Sequence, residues 1–202
     1  MTSQSKPKVS KKEKRRQEIA RQKRKRLLTI WVPLGIVVVG LVGLGYLLFL
    51  SLRGPLPIEG IVTFLRQPRG HDNEQTYEGE LPPVGGLHSD VWQNCGVYDE
   101  PIDAANAVHS LEHGAVWIAY QPDLDGADVA TLQDLVGGES HMLLSPYPDL
   151  QSPVVLTAWE IQLEVDSVDD TRIPDFIDQY LQGPTTPERG ASCANGVGIP
   201  IE

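Results

Sequence analysis

After Lys25 the chain contains no lysine, and its only later basic residues are Arg53, Arg66, Arg69, Arg172 and Arg189. Binding to nucleic-acid phosphates through this long remainder is therefore not expected, because that attraction rests on clustered Lys and Arg. There are two cysteines, Cys95 and Cys193, and no Cys-x-x-Cys, which removes a dithiol redox motif. No Gly-x-Ser-x-Gly elbow surrounds a serine. Neither a Walker loop nor a dinucleotide fingerprint occurs, and "PPVGG" lacks the lysine and following helix of a phosphate loop. No internal repeat is visible. Between Leu27 and Leu52 there is no charge of either sign.

What is present divides by charge. Residues 1–26 hold twelve Lys or Arg and two Glu, a formal +10 within a total of −10, which leaves −20 for residues 27–202. The uncharged stretch "LLTIWVPLGIVVVGLVGLGYLLFLSL" exceeds the about 20 residues that span a hydrocarbon core. Trp31 and Tyr46 lie near its ends, where amphipathic aromatics favour the interface. It is longer than the apolar core of a cleaved signal peptide, and "SLRGPLPIEG" offers no small-x-small cleavage site. An uncleaved single-pass anchor in the cell membrane is expected. The positive-inside rule then puts residues 1–26 in the cytoplasm as a basic tail, with 27–52 as the anchor, 53–59 as a linker and 60–202 as an extracytoplasmic domain. So close to a membrane, the run "KKEKRRQEIARQKRKR" is read as setting orientation and touching anionic lipid, not as binding nucleic acid.

The outer region reads as one domain. "GIVTFLRQ" suggests a strand and "HDNEQTYEGELPPVGG" a loop, and "LHSDVWQNCGVYDEP" continues irregularly. "PIDAANAVHSLEHG" suggests a helix capped by Asp99 or Asp103, with Pro101 in its first turn and Gly114 at its end. "AVWIAY" reads as a buried strand. "DGADVATLQDLVGG" reads as a helix started by Asp125 or Asp128, and "HMLLSPYP" as a strand. "SPVVLTAWEIQLEVDS" reads as one longer strand, and "IPDFIDQYLQG" as a last helix before a loop-like tail. The fold class implied is α+β: a single N-terminal transmembrane helix plus a small mixed sheet with helices packed on one face, a ferredoxin-like variant being one form it could take. Trp92, Tyr98, Trp117, Tyr147 and Trp159 are read as packing aromatics.

The segments "PPVGGLHSDVWQNCGVYDEPI", "AVHSLEHGAVWIAY", "SPYPDL" and "AWEIQLEVDSVDD", in that order, resemble the bacterial, membrane-anchored family catalogued as domain of unknown function 3105. The resemblance runs from about Ile58 to Cys193. It implies an architecture of one N-terminal membrane helix and an outer domain, and implies no chemistry. "ESHMLL" is less typical of the family, which lowers the weight of His141 and Met142.

Chemistry must come from the side chains. An extracytoplasmic pair of cysteines suggests one disulfide, Cys95 to Cys193, tying the irregular segment to the tail. The alternative leaves Cys95 as a thiolate ligand. His109 and His113 are four apart and share a helical face, the spacing of paired imidazole ligands. His88 and His71, from the loops before the helix, each offer a third ligand. The candidate set is His88, His109 and His113, with Cys95 as a further donor. The metal expected is copper or zinc, with thiolate or Met142 favouring copper(I). The bland reading keeps the pair structural, one imidazole meeting the helix C-terminus and the other bonded in the core. His109-Ser110-Leu111-Glu112-His113 also matches the H-x-x-E-H of inverted zinc peptidases, with Glu188 as a formal third ligand, but the helix and the domain are short for that reading. No catalytic residue is therefore assigned. The leading expectation is a metal-binding module without catalysis. A metal-free envelope interaction or assembly protein is the alternative, and a zinc-dependent hydrolase the least favoured. No protein partner is specified.

Overall fold

The computed structural model describes residues 10–52, 54 and 56–201. The first nine residues of the basic tail, Arg53 and Pro55 of the linker, and Glu202 lie outside the described residues. The chain forms two compact units, divided after Pro55.

The first unit is one helix, α1 (Lys11–Leu52). Its apolar part reaches a mean hydropathy of 2.5, which makes it long and apolar enough to cross a membrane. The helix also runs back through the basic segment to Lys11. Straight-chain Lys, Arg, Gln and Glu lose little rotamer freedom in a helix, so nothing in "KKEKRRQEIARQKRKR" stops it.

The second unit is a mixed α+β fold. Its elements are β1 (Val62–Thr63), β2 (Gly96–Val97), α2 (Ala104–Glu112), β3 (Val116–Tyr120), α3 (Gly126–Val136), β4 (Met142–Pro146), β5 (Val154–Ala158), β6 (Ile161–Val165) and α4 (Arg172–Tyr180). They make one six-stranded sheet in the order β1-β6-β5-β3-β4-β2. β3, β4 and β2 run parallel, whereas β3–β5, β5–β6 and β6–β1 pair antiparallel. The ferredoxin-like variant does not describe this sheet. That arrangement splits its βαβ units with an intervening strand, whereas here β3 and β4 are direct parallel neighbours joined through α3.

Helices cover both faces of the sheet, not one. Val116, Ile118, Met142, Leu144, Leu156 and Leu163 point to the face covered by Leu132 and Val136 of α3 and Phe176 of α4. Trp117, Ala119, Leu143 and Val155 point to the other, covered by Val108 and Leu111 of α2 with Trp159 and Tyr147. All residues of β3, β4 and β5 are buried, which is why these strands read as continuous apolar runs instead of alternating. Trp117, Trp159, Tyr98 and Tyr147 are core residues, as expected.

Three other expectations are corrected. The segment read as one long strand is a hairpin, β5–β6, turning at Trp159-Glu160. Glu160 takes the left-handed conformation, φ 64°, without being Gly or Asn. Distant segments hold it there: its carboxylate accepts from Gln67 N, its N–H donates to Val84 O, and its carbonyl accepts from Phe64 N. The irregular segment before α2 contains the edge strand β2, recruited by pairing with β4. Pro101 falls before α2, whose N-cap is Asp103; its carboxylate accepts from Ala105 N and Asn106 N.

Candidate metal centre

The site is built on α2. Val108 and Leu111 are fully buried against the sheet, each contributing about 1.5–3 kcal/mol to docking the helix. This turns His109, Glu112 and His113 away from the sheet. They are buried too, because other chain covers them. The segment after His88 runs along α2, with Ser89 N donating to Ala105 O and Gln93 N to Asn106 O. The Asn106 amide donates to Ser89 Oγ and Val91 O, and Ser110 Oγ donates to Gln93 O. From the other side Glu188 N donates to Glu112 O. Gly114, at φ 102°, ends the helix; a Cβ there would meet the backbone of Gln182 and the side chain of Thr186.

The approach to His88 is equally constrained. Gly86 sits at φ 115°, where a Cβ would stand 2.9 Å from the Tyr77 hydroxyl oxygen. That hydroxyl donates to Leu87 O and Gly85 O, and burial pushes its pKa up to about 12, so it remains a donor. His71 is brought beside His88 by a parallel bridge, in which His88 N donates to Gly70 O and Asp72 N to His88 O.

These constraints gather His71, His88, His109 and Glu112. One ligand atom from each lies within 4.8 Å of all the others. The His71 ring stacks on His109 with centroids 4.9 Å apart, and His88 stands edge-on to both at 5.1 and 5.0 Å. Metal bonds of about 2.0–2.2 Å would draw this group somewhat tighter.

The hydrogen bonds decide which ring nitrogens are available. His88 Nδ1 donates to Gly86 O at 2.8 Å, and His109 Nδ1 to Ser89 O at 2.7 Å. A carbonyl can only accept, so Nδ1 carries the proton and Nε2 presents the lone pair in the neutral ring. Anchoring of one nitrogen by a carbonyl is the arrangement that orients ligating histidines. His109 is held neutral well below the usual range, at about 4; burial is the main cause, opposed by the bond to Ser89 and reinforced by His113, His88 and His71.

His88 Nε2 is fully buried and 3.0 Å from Glu112 Oε2, yet it makes no hydrogen bond. The carboxylate is close but not on the axis a ring N–H needs. Two such atoms, within 4.8 Å of donor atoms on His71 and His109, can serve as ligands of one ion. A buried lone pair beside a buried carboxylate is costly without a cation, and the donor set of imidazoles and one carboxylate fits zinc or copper(II).

The other candidates fall elsewhere. His113 is outside the four-residue group, although its ring is 4.6 Å from His109. Its Nδ1 donates to Ser192 O, and its Nε2 is 3.7 Å from the exposed carboxylate of Glu188. Cys95 stands at disulfide distance from Cys193, with Cα atoms 5.4 Å apart across 98 positions. His141 bonds to Ser140 Oγ and Ala191 O, and Met142 is buried on the opposite face of the sheet. His71 was weighed as a ligand in the sequence but placed behind His88. Glu112 lies inside the H-x-x-E-H match and outside the candidate ligand set read from the sequence, although its spacing of three from His109 puts both on one face of α2.

The chain belongs to the family described as a protein of unknown function, DUF3105, which matches residues 70–195. This range begins just before His71 and contains all four clustered residues. No curated protein and no solved structure matches the chain.

Proposed function

We propose that this protein is a membrane-anchored, extracytoplasmic metal-binding module that holds zinc or copper(II) through His71, His88, His109 and Glu112, without catalysis. The observation that carries the reading is the fully buried His88 Nε2, unpaired beside the Glu112 carboxylate. Three neutral imidazoles and one carboxylate sum to −1, so a divalent ion leaves a local +1, less costly to bury than the ion alone. With both cysteines close enough to pair and Met142 elsewhere, no sulfur donor reaches the ion and copper(I) is disfavoured.

The placement follows from sequence. Residues 27–52 cross the cell membrane once, the basic tail of residues 1–26 faces the cytoplasm and its anionic lipids, and residues 60–202 lie outside, beyond the linker 53–59. An oxidising exterior agrees with the Cys95–Cys193 pairing.

Metal analysis of the full-length chain in detergent tests the site. One equivalent of zinc or copper(II) is expected, lost in His88→Gln and Glu112→Gln variants with unchanged circular dichroism. A metal-free wild-type protein that also fails to take up either ion would overturn the reading. Protease accessibility in sealed, oriented vesicles tests the topology, which fails if the basic tail is cut from outside.

A further inference from the structure

The four ligands are not held alike. His88 and His109 are buried, and each has Nδ1 fastened to a carbonyl. Glu112 is buried in the last turn of α2, where its carbonyl accepts from Glu188 N. His71 is exposed. Among the described residues nothing hydrogen-bonds its ring, which is held by ring contacts only, stacked on His109 and edge-on to His88. Its backbone is tied to the fold by the single bridge to His88, next to Gly70 at φ 140°.

Resting on the metal-binding reading, we infer that the centre is built for metal exchange, with His71 as the ligand that leaves and returns while His88, His109 and Glu112 form a fixed three-donor cradle. The physical reason is the difference in reorganisation. Releasing His88 or His109 means breaking a buried hydrogen bond and moving packed chain. Releasing His71 requires only rotation of an exposed ring into water. A departing His71 opens one coordination position on the solvent side, where an incoming nitrogen or oxygen donor can bind before the other three bonds break. The ion would thus pass to an acceptor carrying imidazole or carboxylate ligands without ever being free. A permanent structural site, by contrast, keeps all its positions closed with protein ligands.

Transfer of zinc from the loaded full-length protein to the chromogenic chelator 4-(2-pyridylazo)resorcinol, followed by absorbance, tests this. His71→Ala should keep one equivalent of zinc at saturation but transfer it faster by on the order of 10-fold or more, the scale on which loss of one supporting group alters metal sites. His88→Gln and His109→Gln should lose stoichiometric zinc. The wild-type transfer rate should rise with chelator concentration, as entry at an opened position requires. The inference is overturned if His71→Ala loses zinc altogether, if its transfer rate equals the wild type's, or if all three variants release zinc at one rate. Those results leave the metal site itself standing, whereas a wild-type protein that binds no zinc or copper removes both.

Discussion

His88 Nε2 and Glu112 Oε2 lie 3.0 Å apart in the interior, with no hydrogen bond between them. His88 comes from a glycine-rich loop and Glu112 from the last turn of α2, so the contact exists only because Ser89 to Gln93 is fastened along the helix. Its energetic character depends on what stands between the two atoms.

Without metal, Glu112→Gln should leave the domain as stable as wild type or more so, because a buried charge facing a lone pair is replaced by an amide able to donate. With zinc present, the order should reverse. At about 100 times the dissociation constant, a bound ion stabilises the native state by about 2.7 kcal/mol, and the variant should lose that increment. Paired thermal melts with zinc and with chelator check both halves; equal shifts in the two proteins would contradict the prediction.

The lowered pKa of His109 makes the metal-free domain acid-sensitive in a defined window. The folded value of about 4 lies below the ordinary 6.5, so between them the unfolded chain binds the additional proton. This contribution to stability is complete above pH 6.5 and is lost as pH falls toward about 4. Urea denaturation at stepped pH should show a decline across that interval, shallower in His109→Gln. An identical pH slope in both proteins would refute the assignment.

Gly86→Ala should damage folding and the metal site together. A side chain at φ 115° is strained, and its Cβ would press on the Tyr77 hydroxyl. The destabilisation should exceed about 1 kcal/mol. Metal affinity should also fall, because Gly86 O orients His88 through Nδ1. Calorimetric zinc titration measures the second effect, and unchanged affinity would separate the loop from the site.

Replacing Cys95 and Cys193 together by serine should cost about 2–4 kcal/mol in denaturant unfolding, since the pairing closes a long loop of the unfolded chain. Zinc stoichiometry should survive, because neither sulfur belongs to the four-ligand group. Loss of metal on this double substitution, with the fold intact, would show that Cys95 is a ligand.

Trp92 and Trp159 provide an optical test of metal identity. Their rings lie 5.7 Å from His109 and 6.0 Å from His88. Copper(II), which is paramagnetic, should quench indole emission at one equivalent, and zinc should not. Trp92→Phe should remove part of the quench, and an unaltered quench would locate the copper elsewhere.

Much of the local structure was legible because it depends on neighbours in sequence. Asp103 and Asp125 cap their helices with their own side chains. Gly114 ends α2 because only a residue without Cβ fits there. The Trp159-Glu160 turn was not legible: neither residue favours a turn, and the partners that hold Glu160 come from positions 64, 67 and 84. β2 was hidden because a two-residue strand has no periodicity and is defined by its pairing with β4.

The sequence by itself determined the division of charge, the long apolar helix, the mixed α+β class and the presence of histidines at helical spacing in the acidic part. These follow from composition and from periods of a few residues. Tertiary structure decided which of the histidines meet. The helical spacing pairs His109 with His113, but the loop path from Gly70 to Gln93 brings His71 and His88 to His109 and Glu112 and leaves His113 one ring outside. The reason is physical. Spacing specifies a face of a helix, whereas a metal centre needs atoms converging on a point, and that convergence is set by carbonyls and packing supplied from elsewhere in the chain.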